Sequence, residues 1–293
     1  MRRRSFDMND AKDKTRTGPE LPEPIPGFEN FGHVGLHGAR NTRDLGGLQA
    51  SDGKVIAVGR LIRSGDLHKA TDEDIELLRD GHGLARVVDF RTVKEREGAP
   101  DPQDRMPGIG FIDLPVFSEA AVGITHEGGI AGDLAALKRF SGNAHDAIRD
   151  LYVTCLLGED GKQAYRAFFE TLLAPEDGAT LWHCTEGKDR AGLASVLVEY
   201  ALDVPMPHIR ADYLATNLFV HDAAEEILDA LARHGLLEHV DLDVDSIFYA
   251  SMDYLDAALE AVEQECGGMD AYLAAVLGVG ERERERLREL YLQ

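Results

Sequence analysis

Ala179-Thr180-Leu181-Trp182-His183 is a short apolar run that leads without a spacer into Cys184. Beyond Arg190, a strongly apolar stretch from Ala191 to Leu202 reads as a helix, closed by Val204-Pro205. A strand that hands over to a helix through so short a loop constrains the fold more than any other feature. Such a unit belongs to an α/β sheet with parallel strands. The loop also runs into a helix N-terminus, where unpaired backbone N–H groups and the positive end of the helix dipole converge. That setting favours an anion, whether a thiolate or a phosphate.

The chemistry follows from the residues in the loop, His183-Cys184-Thr185-Glu186-Gly187-Lys188-Asp189-Arg190. A cysteine placed there is expected to titrate below its free value of about 8.5 and to be a thiolate at neutral pH. Five residues separate Cys184 from Arg190, enough to close a ring around one phosphate. The Arg190 guanidinium offers a planar fork to two phosphate oxygens. Gly187 permits the tight backbone path, and Lys188 adds positive charge. The implied reaction is attack of sulfur on phosphorus, a cysteinyl-phosphate, and its hydrolysis by water, with no metal or cofactor.

Composition narrows the setting. At 293 residues and 44% hydrophobic the chain can bury a sizeable core. No apolar run approaches the roughly 18 residues of a membrane span. The opening MRRRSFDMNDAKDKTR has no apolar core behind its basic start, so no secretory signal is expected. Three widely spaced cysteines make no disulfide framework; Cys155 and Cys266 read as apolar filler in helices. A cytoplasmic protein with no stable membrane anchor is expected. A formal charge of −22 argues against nucleic-acid partners, so an anionic substrate must be captured by a local positive pocket.

Residues 1–30 mix charge with Gly and Pro and read as a disordered N-terminal arm, with one domain over 31–293. Short strands are predicted at Val55–Val58, Leu61–Ile62, Arg86–Phe90 and Ile109–Val116, and helices after Thr71, over 144–157 and over 161–173. Everything after Pro207 is helical in pattern, with breaks near Gly235 and Gly267-Gly268. The stretch 208–265 is expected to form a helical lid over the loop. The fold class is therefore α/β, a parallel-rich central sheet flanked by helices.

Several ordered motifs extend the picture: Asn41-Thr42-Arg43-Asp44-Leu45-Gly46-Gly47, Gly59-Arg60-Leu61-Ile62-Arg63-Ser64, Val88-Asp89-Phe90-Arg91, Ala211-Asp212-Tyr213-Leu214 and Gly267-Gly268-Met269-Asp270-Ala271-Tyr272-Leu273. Together with His-Cys-x-x-Gly-Lys-Asp-Arg they resemble the bacterial and fungal tyrosine/serine branch of the protein tyrosine phosphatases, from about Asn41 to Leu292. The resemblance implies a tyrosine-phosphatase-like fold and action on phosphorylated proteins or small phosphorylated substrates. Phosphotyrosine comes first, with phosphoserine/threonine or phosphoinositides as extensions. It implies Cys184 as nucleophile, Arg190 as phosphate clamp and Asp189 as general acid, with Glu119 as a rival acid. Thr185, Glu186, Gly187, Lys188, Asp89, Arg91 and Arg63 are then candidates for phosphate or substrate contact. Family members usually carry Thr or Ser directly after the arginine, where this chain has Ala191. That departure keeps open a pseudo-phosphatase that binds a phosphorylated partner without turnover.

Overall fold

The computed structural model describes residues 18–117, 144–174, 177–233 and 244–293. Strands β1 (Arg43–Asp44), β2 (Leu61–Ser64), β3 (Leu84–Asp89), β4 (Gly110–Asp113) and β5 (Ala179–His183) lie side by side in the order β1-β2-β5-β3-β4. From β2 to β4 every pairing is parallel, and only β1 runs antiparallel, against β2. The strand expected to carry the reactive cysteine is thus the central one.

Alternation along the strands divides the core. Leu61, Val88 and Trp182 join the larger apolar cluster, whereas Ile62, Val87 and Leu181 join a smaller one with Ile75 and Leu78. Both faces are covered, which is why β3 and β5 read as nearly continuous apolar runs. The smaller layer includes α1 (Asp72–Glu76), capped by Thr71 and continued by a π turn over Leu77–Gly81. Helix α2 (Val93–Gly98) follows β3 closely and opens on a capping box between Thr92 and Glu95.

On the larger side stand α3 (Ala144–Leu157), α4 (Glu159–Leu173) and α5 (Arg190–Ala201). Almost every residue of α5 is buried, as befits a helix apolar all round. Helices α6 (Met206–Arg233), α7 (Val244–Phe248) and α8 (Met252–Cys266) come next, and α8 ends at Gly267 in the left-handed region (φ +78°). A short α9 (Met269–Ala271) and α10 (Glu281–Tyr291) complete the order. Among the described residues no helix is long and apolar enough to cross a membrane.

Three expectations need correction. The arm does not reach residue 30 as a loose segment: Ile25 and Phe28 are buried in the main core, and Asn217 donates to the Glu20 carbonyl at 2.7 Å. The few apolar residues there are spaced to fit the core, which a composition-based reading discounts. Val55–Val58 is not a strand; Val55 and Ile56 make only isolated bridges, to Gln49 and Leu292. The early turns of α6 are core rather than cover, with Ile209, Asp212, Tyr213 and Thr216 all buried.

Candidate active site

The loop between β5 and α5 sits at the carboxyl end of the central strand, where parallel α/β sheets place their ligands. Cys184 is buried at 2% exposure. Gly187 has φ +66°, and a Cβ there would lie 2.5 Å from the Ser64 carbonyl oxygen, so both conformation and space require glycine. Three loop carbonyls are tied to the surrounding protein. Asp66 N–H donates to Thr185 O at 3.0 Å, Asn41 Nδ2 to Glu186 O at 3.2 Å and Arg63 Nη2 to Gly187 O at 2.9 Å. A trans peptide sets N–H opposite its C=O. The N–H groups of Glu186, Gly187 and Lys188 therefore face away from those anchors, and none has an acceptor among the described residues. The Ala191 N–H favours the thiolate form of Cys184. This is an anion nest built from backbone.

Arg190, the first residue of α5, is locked by Glu95 of α2. Its Nη1 and Nη2 donate to the two Glu95 oxygens at 2.7 Å each, and Thr185 Oγ1 donates to Glu95 Oε1 at 2.8 Å. Burial would raise the Glu95 carboxyl, but the Arg190 charge and hydrogen bonds from Arg190, Thr92 N–H and Thr185 hold it at about 2. Arg190 Nε has no partner among the described residues, and Nη2 adds only a 3.3 Å contact to Thr185. The Nε–Nη2 edge is thus the one left for an oxyanion. Burial pushes the Cys184 thiol up, against the pull of Arg190 and the Ala191 N–H; Asp189 and Glu95 add to the rise. The depressed thiol expected from the helix dipole is not found here because burial outweighs the pull of Arg190.

Beneath the loop lie two buried ionic clusters. Arg43 and Arg63 share Asp212 at 2.5 and 2.8 Å, with Thr216 bridging them. Glu199 of α5 approaches the same group; burial pushes its carboxyl well up and the Asp212 charge adds to this. In the second cluster Arg91 donates to Asp89, Asp101 and the Ala99 carbonyl. His183 faces the Cys184 carbonyl with Nδ1 at 3.2 Å and Asp101 with Nε2 at 3.1 Å. A carbonyl and an ionised carboxylate both accept, so this placement favours a ring with both nitrogens protonated. Burial opposes that charge, but Asp89 and Asp101 raise the His183 pKa. Asp89, Asp101 and His183 could in principle offer three metal ligands, yet Arg91 already sits as a cation on both carboxylates.

The mouth of the loop carries Lys188 and Asp189. Lys188 Nζ donates to the Ile247 carbonyl at 2.6 Å and lies 3.6 Å from Asp189 Oδ1. Beside them opens a narrow cleft, polar at Glu186, Lys188 and Asp189 and apolar at Leu151, Ile227 and Phe248.

A model of the tyrosine phosphatase family matches residues 34–293. The chain belongs to that family. A Cupriavidus necator protein assigned by name to the tyrosine-protein phosphatases is 33% identical over 242 residues, covering 82% of each chain. A tyrosine-protein phosphatase of Nostoc commune is 26% identical, over 80% of this chain and 74% of its own. The triple specificity protein phosphatase PtpB of Mycobacterium tuberculosis is 27% identical, over 88% of this chain and 98% of its own.

Within this tyrosine phosphatase, Cys184, Thr185, Glu186, Gly187, Lys188, Asp189 and Arg190 come together in one loop as expected. Asp89, Arg91 and Arg63 do not line its mouth: all three are buried and hydrogen-bonded to protein beneath it. Glu119 lies outside the described residues. Sequence reasoning missed Glu95, although Thr92-x-x-Glu95 directly after Asp89-Phe90-Arg91 is a capping-box signature. It also missed Asp101 and Tyr152, which no local pattern marks.

Proposed function

We propose that this tyrosine phosphatase hydrolyses phosphomonoesters, phosphotyrosine first, through a cysteinyl-phosphate on Cys184. The observation that carries the reading is the closed loop itself. A buried sulfur, three N–H groups without acceptors and the unpartnered Nε of Arg190 surround one anion-sized position. Phosphate oxygens bind the N–H groups of Glu186, Gly187 and Lys188 and the Arg190 fork, and the Cys184 thiolate attacks in line. Asp189 protonates the departing oxygen, and water then hydrolyses the thiophosphate ester.

Asp89, Arg91 and Arg63 act in this reading as braces, buried and held by protein partners beneath the loop. The distal half of α6 with α7 forms the cover over the loop, a reading supported by the Lys188–Ile247 bond and by Val220, Ile227 and Phe248 along the cleft. An apolar wall beside the phosphate suits an aromatic ring. The mycobacterial relative is named a triple specificity phosphatase, which supports testing substrates beyond phosphotyrosine.

Phosphotyrosine, phosphoserine and phosphothreonine peptides and phosphoinositides, assayed with one preparation, test the reading. Phosphotyrosine should turn over fastest, undiminished by EDTA, and be blocked by vanadate and by iodoacetate. Activity silenced by the chelator and restored by magnesium or zinc would point to a different chemistry.

A further inference from the structure

Asp189 stands at the N-cap of α5, where an aspartate ordinarily accepts from the N–H groups of its own helix. It makes no such bond. Its Oδ1 accepts instead from the Tyr152 hydroxyl of α3 at 2.7 Å, and that hydroxyl accepts from Tyr213 of α6 at 2.9 Å. Both tyrosines are wholly buried and meet edge-on, with ring centroids 6.2 Å apart. Tyr254 of α8 closes the other side of Tyr152 at 5.6 Å. Tyr213 also lies 3.2 Å from the Ser251 carbonyl, a second and longer acceptor for its one proton. The charged group nearest the accepting carboxylate oxygen is Lys188, 3.6 Å away; Cys155 lies on α3 itself, and Cys184 and Arg190 flank Asp189 in the loop.

A hydroxyl has one proton to give. Tyr152 gives its own to Asp189, so the proton of a neutral Asp189 belongs on Oδ2, an atom with no hydrogen-bond partner among the described residues. Burial and the Asp189 charge both push the Tyr152 phenol well up, so it stays a donor throughout the working pH range.

We propose that Tyr152, steadied by Tyr213, is a positioning residue for the proton donor: it occupies Oδ1, turns the aspartate away from helix capping, and leaves Oδ2 to protonate the leaving group. This rests on the reading of Asp189 as the general acid. As the S–P bond forms and the P–O bond breaks, the Oδ2 proton passes to the departing oxygen. The carboxylate left behind is stabilised by the hydrogen bond from Tyr152. Removing a hydrogen bond to a charged group slows the step it serves by about ten- to a hundredfold.

The test is a series of aryl phosphates from acidic to basic phenols, assayed with wild type, Tyr152→Phe, Tyr213→Phe, Asp189→Asn and the Asp189→Asn/Tyr152→Phe double variant, each checked by thermal unfolding. Tyr152→Phe should slow kcat by about tenfold or more on basic phenols and little on acidic ones, with KM nearly constant. Tyr213→Phe should show the same pattern more weakly, and carries the test if Tyr152→Phe does not fold. Within Asp189→Asn the effect of Tyr152→Phe should vanish. Equal slowing on all leaving groups, or an effect that persists without Asp189, overturns the inference alone. If Asp189→Asn itself shows no leaving-group dependence, the acid assignment falls and this inference with it.

Discussion

Cys184→Ser and Arg190→Ala should each lower turnover of a phosphotyrosine peptide by at least about a thousandfold, the scale of loss when a member of a catalytic unit is removed. The serine oxygen is a far poorer nucleophile at neutral pH than the thiolate, and nothing else in the nest can attack phosphorus. Arg190→Ala carries a second consequence. It strands Glu95, a buried carboxylate held at about 2 by the missing partner. Breaking a buried pair from one side costs about 3–5 kcal/mol, so this variant should unfold at lower temperature. Arg190→Ala/Glu95→Gln should recover much of that stability and none of the activity. Cys184→Ser should unfold like wild type. Recovery of turnover in the double variant would show that Arg190 serves only the fold.

Ala191→Thr should raise kcat, and the wild type should show a burst of product with a good aryl phosphate. In the second step sulfur must leave as a thiolate, and a hydroxyl after the arginine could donate to it. The neighbouring hydroxyls are committed elsewhere. Thr185 Oγ1 donates to Glu95, and Ser195 Oγ donates to the Ala191 carbonyl at 2.9 Å and accepts from Trp182 Nε1 at 3.2 Å. The departing sulfur keeps the Ala191 N–H. A missing hydrogen bond to a charged group is worth about 1.5–3 kcal/mol, or roughly ten- to a hundredfold in the rate of the second step. Room at this fully buried position is tight, so Ala191→Ser is the smaller partner variant. A linear wild-type time course, with neither variant faster, would remove the argument.

How much of this was legible in the sequence differs between the loop and its supports. The strand into Cys184, the helix from Arg190 and the need for glycine at 187 are local properties, written in adjacent residues, and the structure reproduces them. Strand positions are partly legible too, since apolar runs such as Arg86–Phe90 mark strands covered on both faces. Long-range partners are not. Glu95 reaches Arg190 across 95 positions and Tyr152 reaches Asp189 across 37; no periodicity reports such pairs. Charged residues such as Arg63 and Arg91 read as substrate contacts because buried arginines are uncommon. The structure shows both buried and ion-paired, Arg63 with Asp212 and Arg91 with Asp89 and Asp101. The N-terminal residues Ile25 and Phe28 were discounted for the opposite reason: two apolar side chains among prolines and glycines look solvated until a groove is there to receive them.

The central claim, a covalent intermediate on Cys184, is tested most directly by acid-quenching wild-type enzyme within its first turnovers of an aryl phosphate and mapping the protein by mass spectrometry. The account predicts one phosphoryl group on the peptide carrying Cys184, formed with the burst, absent from Cys184→Ser, and shorter-lived in Ala191→Thr. Turnover with no phosphorylated cysteine at any quench time, or a phosphoryl group that persists in Cys184→Ser, would contradict it.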